Sequence, residues 1–145
     1  MIRRPPRSTQ SRSSAASDVY KRQPLAFSVL TWLLWEQRLL LVAAVMPMTW
    51  GDALAAMVGQ RWGRHRFRVP GSTRSLEGSL TFLVVAWVAT AIPLLLLPGS
   101  PWSGWAAIWV ALRVAGGSAL VEAITPWRLD NLTVPAVSGL LLGLG

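Results

Sequence analysis

The sequence predicts an all-α fold: a multi-pass integral membrane helical bundle of about three to four spans. Three observations predict it. Hydrophobic residues fill 52% of the 145 positions and charged residues only 14%, where a soluble domain carries about a quarter. Apolar runs near the ~20 residues that a helix needs to cross hydrocarbon recur along the chain. Arginines collect in one connection between those runs and are missing from the next, as the positive-inside bias requires. The absence of Cys and the single His, His65, exclude disulfide frameworks, thiolate chemistry and multi-His metal centres.

Residues 1–23 (MIRRPPRSTQSRSSAASDVYKRQ) differ from the rest. They hold Arg3, Arg4, Arg7, Arg12, Lys21 and Arg22 against Asp18. A basic arm for nucleic acid or anionic lipid would have this composition, as would an organelle transit peptide. The string SSAASDVYKRQ also resembles the translation of a sequencing-library adapter. On that reading the segment is foreign, disordered and left out of fold reasoning. The net charge of +8 is then no sign of nucleic-acid binding. Residues 24–145 are expected to be the C-terminal part of a longer protein, with N-terminal spans missing.

Within 24–145, residues 25–35 (LAFSVLTWLLW) read as the end of a span, followed by the polar Glu36-Gln37-Arg38. Residues 39–58 form the first complete candidate, interrupted by Asp52. Residues 79–97 form the second, and Leu-Pro-Gly-Ser-Pro at 97–101 is a turn cluster. Residues 102–125 form the third, with Arg113 and Glu122 inside it. After the polar break 126–131, residues 132–145 begin a fourth. Pro47 and Pro93 lie inside apolar runs, where lipid tolerates them if neighbours satisfy the freed carbonyls. Trp50, Trp62, Trp102, Trp105 and Trp127 fall near expected span ends, as interfacial anchors do. Trp87 and Trp109 fall mid-span and read as packing residues.

Stretch 60–75 carries Arg61, Arg64, Arg66, Arg68 and Arg74 without an acid, and 98–101 carries no charge. The basic stretch is therefore expected in the cytoplasm. Asp52, Glu77, Glu122 and Asp130 then converge on that membrane face. An ionised carboxylate at the depth of Asp52 is costly and needs a cation, a metal or a wet cavity. Arg113 is one available partner, and a ligated cation in a cytoplasm-facing cleft is the other. Gly51, Ala55 and Gly59 form a small-residue stripe suited to close helix packing. The run 59–68, with Arg61, Arg64, Arg66 and Arg68, serves either as a lipid-headgroup anchor or supplies clamps for a polyphosphate, which guanidinium matches bidentately. His65 reads as an incidental loop residue. Ser75 suits an N-cap and Glu77 the first turn of the following helix. Several acids and arginines in one cleft, with no thiol and little His, suit a Mg²⁺–nucleotide.

Gly-Asp-Ala-Leu-Ala-Ala-Met-Val-Gly-Gln-Arg-Trp-Gly at 51–63, Arg-Ser-Leu-Glu-Gly-Ser at 74–79 and Asp-Asn-Leu-Thr-Val-Pro at 130–135 stand in that order. Together they resemble the CTP-dependent lipid-alcohol kinases: phytol and polyprenol kinases, dolichol kinase and the CTP-dependent diacylglycerol kinase. Glu122 also fits their pattern, and the resemblance covers about residues 38–142. The family often has Lys where Arg74 stands, and Arg113 has no counterpart that maps. The related phosphatidate cytidylyltransferases carry a later His-Gly-Gly…Asp-Arg-Asp motif that is absent here, which favours kinase over cytidylyltransferase. A transporter fragment using the acids as an ion path is the non-enzymatic alternative.

The resemblance implies transfer of the CTP γ-phosphoryl group to a long-chain lipid alcohol, with Mg²⁺ as cofactor. It implies Asp52 and Glu77 in metal coordination or alcohol activation, and Glu122 and Asp130 as further metal ligands. Arg61, Arg64, Arg74, Ser75, Gly78 and Asn131 would contact nucleotide or phosphate. Membrane lipid, the lipid alcohol and CTP are the implied partners; nucleic acid is not. Phytol, polyprenol, dolichol and diacylglycerol are all open as acceptors.

Overall fold

The computed structural model describes residues 24, 25, 27–125 and 129–143. Segment 1–23, Trp127 and the last two residues of the fourth expected span lie outside the described residues. Helical residues 27–33 (α1) lead through a turn into α2, Arg38–Met46. A π-helical turn, Pro47–Asp52, joins α2 to α3, Ala53–Trp62. An antiparallel hairpin follows, β1 Arg66–Val69 and β2 Ser72–Ser75. Then come α4 (Leu76–Leu96), α5 (Trp105–Ile124) and α6 (Asp130–Gly143).

Three helical stretches are long and apolar enough to cross a membrane: Arg38–Trp62, Leu76–Leu96 and Trp105–Ile124. They match the three complete spans expected from hydropathy, and the protein is an integral membrane protein. α4 is apolar all round, as a lipid-embedded helix is. Its Leu80, Val84, Val88 and Ile92 form one exposed stripe, while Phe82, Ala86 and Leu94 are buried on the inner face. α4 packs against α3, the π turn and α5; α5 packs against α6, which also meets α2. Small residues make these crossings close. Ala43, Ala44, Ala86, Ala107, Ala111 and Ala115 are wholly buried, which lets backbones approach where there is no hydrophobic drive between helices. Between α5 and α6 the Ser118 and Ser138 hydroxyls share a buried 2.8 Å hydrogen bond.

Pro47 opens the π turn and Asp52 ends it. Pro47 donates no hydrogen bond to the preceding turn, and widening to π geometry is one way a helix absorbs that loss. Thr49 Oγ1 donates to the Val45 carbonyl at 2.8 Å, supplying a side-chain partner inside the altered turn. Two tryptophans depart from expectation. Trp50 stands in the middle of Arg38–Trp62 instead of near its end, and Trp109 faces outward at 65% exposure instead of packing inside. Trp87 does pack inside, its indole N–H donating to the Ile108 carbonyl at 3.2 Å.

The hairpin is the main feature that hydropathy did not anticipate. It pairs Arg66 with Ser75, Phe67 with Arg74, Arg68 with Thr73 and Val69 with Ser72. Pro70-Gly71 makes the turn, with Gly71 at φ 82, a conformation open to Gly and hard for other residues. The basic stretch is thus a short ordered ribbon rather than an irregular loop.

Candidate functional site

A cleft of about 270 Å³ opens at the end of the bundle where α3 stops, α4 starts, α5 stops and α6 starts. Chain alternation brings these four helix termini together, and the hairpin spans the gap between α3 and α4. Asp52, Glu122 and Asp130 reach the cleft from the π turn, the last turn and a half of α5 and the first turn of α6. One carboxylate oxygen from each lies within 4.8 Å of the others.

Arg74, on β2, enters the same cleft. Its Nη1 pairs with Glu122 Oε1, and its Nη2 donates to Asp130 Oδ2 at 2.9 Å. The Arg74 side chain is 10% exposed, and those of Glu122 and Asp130 are 9% and 17% exposed. A guanidinium bridging two buried carboxylates offsets much of their desolvation cost. The compensation is incomplete. Glu122 Oε2 is buried and has no hydrogen-bond partner among the described residues. Asp130 Oδ1 accepts the Asn131 backbone N–H at 3.0 Å.

The donor set fits a hard divalent cation. It is all oxygen, it carries three acids against one arginine, and it leaves Glu122 Oε2 free to ligate. Mg²⁺ takes carboxylate and phosphate oxygens in this way and keeps several waters.

The wall between α3 and α4 is built on the stripe of small residues. A Cβ at Gly59 would stand 2.8 Å from Ser75 Oγ, and one at Gly78 would stand 3.1 Å from the Ala55 carbonyl oxygen. A Cβ at Gly51 would meet the Phe82 ring at 3.1 Å. Ser75 is the N-cap of α4, its hydroxyl accepting the Gly78 N–H at 3.1 Å. Ser75 and Gly78 both line the cleft.

Other expected site residues stand elsewhere. Glu77 is outside the lining and outside the group of three carboxylates. It accepts from His65 instead, Oε1 lying 2.8 Å from Nδ1 and 3.1 Å from the backbone N–H. The Leu76 N–H donates back to the His65 carbonyl at 3.0 Å. His65 is therefore a hinge point of the hairpin rather than an incidental loop residue. Arg61 and Arg64 are exposed and outside the lining, Arg61 resting 5.5 Å from the Trp62 ring centroid. Asn131 also lies outside it. Arg113 does not partner Asp52; its Nη2 donates to the Leu141 carbonyl at 3.1 Å, in the last turn of α6. A cation there complements the helix C-terminus. Ser72 and Ser79 line the cleft without a site role expected from sequence, and Arg66, one arginine of the basic run, lines it as well. The alternation of Arg66-Phe67-Arg68-Val69, closed by Pro70-Gly71, was the available signal.

Over 103 residues the chain is 44% identical to the phytol kinase of Synechocystis sp., covering 70% of this chain and 42% of that protein. It is 32% identical over 109 residues to CTP-dependent diacylglycerol kinase 1 of Schizosaccharomyces pombe, covering 71% of this chain and 50% of that protein. Over about 70% of its length the chain is thus similar to lipid-alcohol kinases. It spans half or less of the length of these relatives. No family model matches the chain, and no solved structure matches it.

Proposed function

We propose that the protein is a CTP-dependent kinase that moves the γ-phosphoryl group of CTP onto the hydroxyl of a long-chain lipid alcohol. The observation that carries this reading is the cleft itself. Three carboxylates and a buried arginine meet at the end of membrane-length helices, where a lipid hydroxyl and a water-soluble nucleotide can both arrive. The names of the two relatives supply the phosphoryl donor and the acceptor class.

Asp52, Glu122 and Asp130 would hold Mg²⁺. The bound ion would neutralise phosphate charge and align the reacting phosphoryl group. The lipid oxygen attacks the γ-phosphorus, the bond from that phosphorus to the β–γ bridging oxygen breaks, and CDP leaves. The alcohol proton passes to a cleft carboxylate, for which we assign Asp52. Arg74 holds Glu122 and Asp130 at the spacing the ion needs and lends charge to the phosphates. Glu77 acts through His65 by fixing the base of the hairpin that carries Arg74. Arg61 and Arg64, exposed at the same end, meet anionic headgroups or incoming nucleotide. Their charge supports a cytoplasmic position for this end of the bundle.

The test is an acceptor screen with γ-labelled and α-labelled CTP on membranes holding the protein. Label from the γ position should appear in a lipid monophosphate, with CDP released. Release of pyrophosphate with α-label in the lipid would replace this reading by the cytidylyltransferase one. Equal or better turnover with ATP would remove CTP as the donor.

A further inference from the structure

Among the described residues, the buried side-chain atoms with no hydrogen-bond partner are Ser72 Oγ, Arg74 Nε, Ser79 Oγ, Thr90 Oγ1 and Glu122 Oε2. All but Thr90 Oγ1 belong to residues that line the cleft described above, so a ligand there reaches these atoms only with small side-chain adjustments. A buried polar atom without a partner costs the folded state its full desolvation penalty, and native structures hold few of them. Their concentration around one cavity calls for a ligand that satisfies all of them. The chemistry of the four atoms describes that ligand. Arg74 Nε can only donate, the two serine hydroxyls can donate, and an ionised Glu122 oxygen can only accept or ligate a cation. Three donors and one acceptor around a cavity match an anion accompanied by a metal ion.

The cavity adds a size argument. At about 270 Å³ it falls just below the roughly 300–1,000 Å³ range of small-molecule pockets. It can take the phosphate chain and its ion while the nucleoside remains at the mouth. Arg66 lines that mouth from β1; its side chain is exposed, with Nε donating to the Gly63 carbonyl at 3.4 Å. The Nη groups of Arg66 add a second guanidinium, after Arg74, beside the phosphate path.

We propose that Ser72 and Ser79, with the Arg74 Nε–H between acid wall and hairpin, form a triphosphate clamp, and that Arg66 closes over its outer end. This inference rests on the phosphotransfer reading and names residues for it. The hairpin is then a binding element: β2 presents Ser72 and Arg74, the first turn of α4 presents Ser79, and β1 presents Arg66. A lipid phosphate headgroup shares this chemistry, so the test must separate the two sources.

The experiment compares wild type, Ser72→Ala, Ser79→Ala and Arg66→Gln in the detergent-purified protein. Binding of Mg²⁺–CTP and of Mg²⁺–tripolyphosphate is measured by calorimetry, and melting temperature is measured without ligand. Each serine substitution should weaken both ligands by at least about tenfold, the loss of one hydrogen bond to a charged group. Without ligand the same substitutions should leave melting unchanged or raise it, because an unsatisfied buried hydroxyl has been removed. Arg66→Gln should weaken both ligands and make the remaining affinity less sensitive to salt. Unchanged affinity in both serine variants, with wild type binding normally, would overturn the clamp and leave the phosphotransfer reading intact. A lowered melting point in ligand-free Ser72→Ala and Ser79→Ala, with unchanged affinity, would make the hydroxyls structural and overturn it as well. Substitutions that alter binding to phosphatidate vesicles but not to tripolyphosphate would assign the site to a headgroup and overturn it. No binding of either ligand by wild type would overturn the phosphotransfer reading and this inference with it.

Discussion

Replacing Arg74 by Gln removes the guanidinium that bridges Glu122 and Asp130 and keeps a polar side chain of moderate length. The cost follows from burial. Arg74, Glu122 and Asp130 are 10%, 9% and 17% exposed, and a third carboxylate, Asp52, lies within 4.8 Å of the other two. Breaking a buried ion pair from one side costs about 3–5 kcal/mol. The cleft is open to water on the Asp52 side, so the lower figure, about 3 kcal/mol, is expected here. A divalent cation should recover most of that loss, because three clustered carboxylates repel one another and gain more from Mg²⁺ than they do beside Arg74. At a hundredfold excess over its dissociation constant, a ligand specific for the folded state contributes about 2.7 kcal/mol. The assay is thermal unfolding in detergent, followed by the fluorescence of the nine tryptophans, with and without Mg²⁺. Arg74→Gln should melt well below wild type in chelator and close much of the gap in excess Mg²⁺. Equal melting in chelator would show that the bridge does not hold the cleft. A gap that Mg²⁺ leaves untouched would show that these acids do not form a cation site.

The remaining predictions concern the same end of the bundle. Gly59→Ala drives a Cβ to 2.8 Å from the Ser75 hydroxyl, and the forced shift should cost about 1–3 kcal/mol, read as a lower melting temperature. Asp130→Asn should abolish Mg²⁺-dependent stabilisation while membrane insertion, checked by protease protection, is unchanged. Glu77→Gln should lower turnover less than tenfold at matched membrane expression, because its carboxylate meets His65 rather than the three cleft acids. A fall of about 10²–10⁴-fold, the range for loss of a general acid or base, would return Glu77 to the reacting centre.

The spans were legible because lipid imposes a coarse requirement. A run of ~20 apolar residues is nearly sufficient to specify a membrane helix, and Arg38–Trp62, Leu76–Leu96 and Trp105–Ile124 satisfy it. The helix ends were less legible. Residues 60–62 (Gln-Arg-Trp) read as part of the basic stretch beyond the span, because the apolar run ends at 58, yet α3 continues to Trp62. Hydropathy measures affinity for lipid, whereas a helix can project past the hydrocarbon while its backbone bonds stay intact. The hairpin was hidden for a related reason. Five arginines between 60 and 75 dominate any charge-based reading, and the period-two pattern beneath them is only four residues long on each strand.

Site residues were legible in proportion to how improbable their burial is. Asp52 and Glu122 stand inside apolar helices, where an acid demands compensation, and both enter the cleft. Glu77 stands at a helix start, where an acid is already explained by the helix dipole, so its sequence position alone could not separate an anchoring role from a chemical one. The separation comes from the partner. His65 takes up Glu77 through both its ring and its backbone N–H, which commits the carboxylate to closing the hairpin. Arg74 shows the converse. By composition it is one of five arginines between 60 and 75, and only its place at the head of the Arg-Ser-Leu-Glu-Gly-Ser motif distinguishes it. Only the pairing of β2 across β1 brings it between α5 and α6, where it meets Glu122 and Asp130. The motif marks Arg74 as a site residue but not its partners, because a residue that joins elements distant in the chain depends on the register of a hairpin that its own charge disguised.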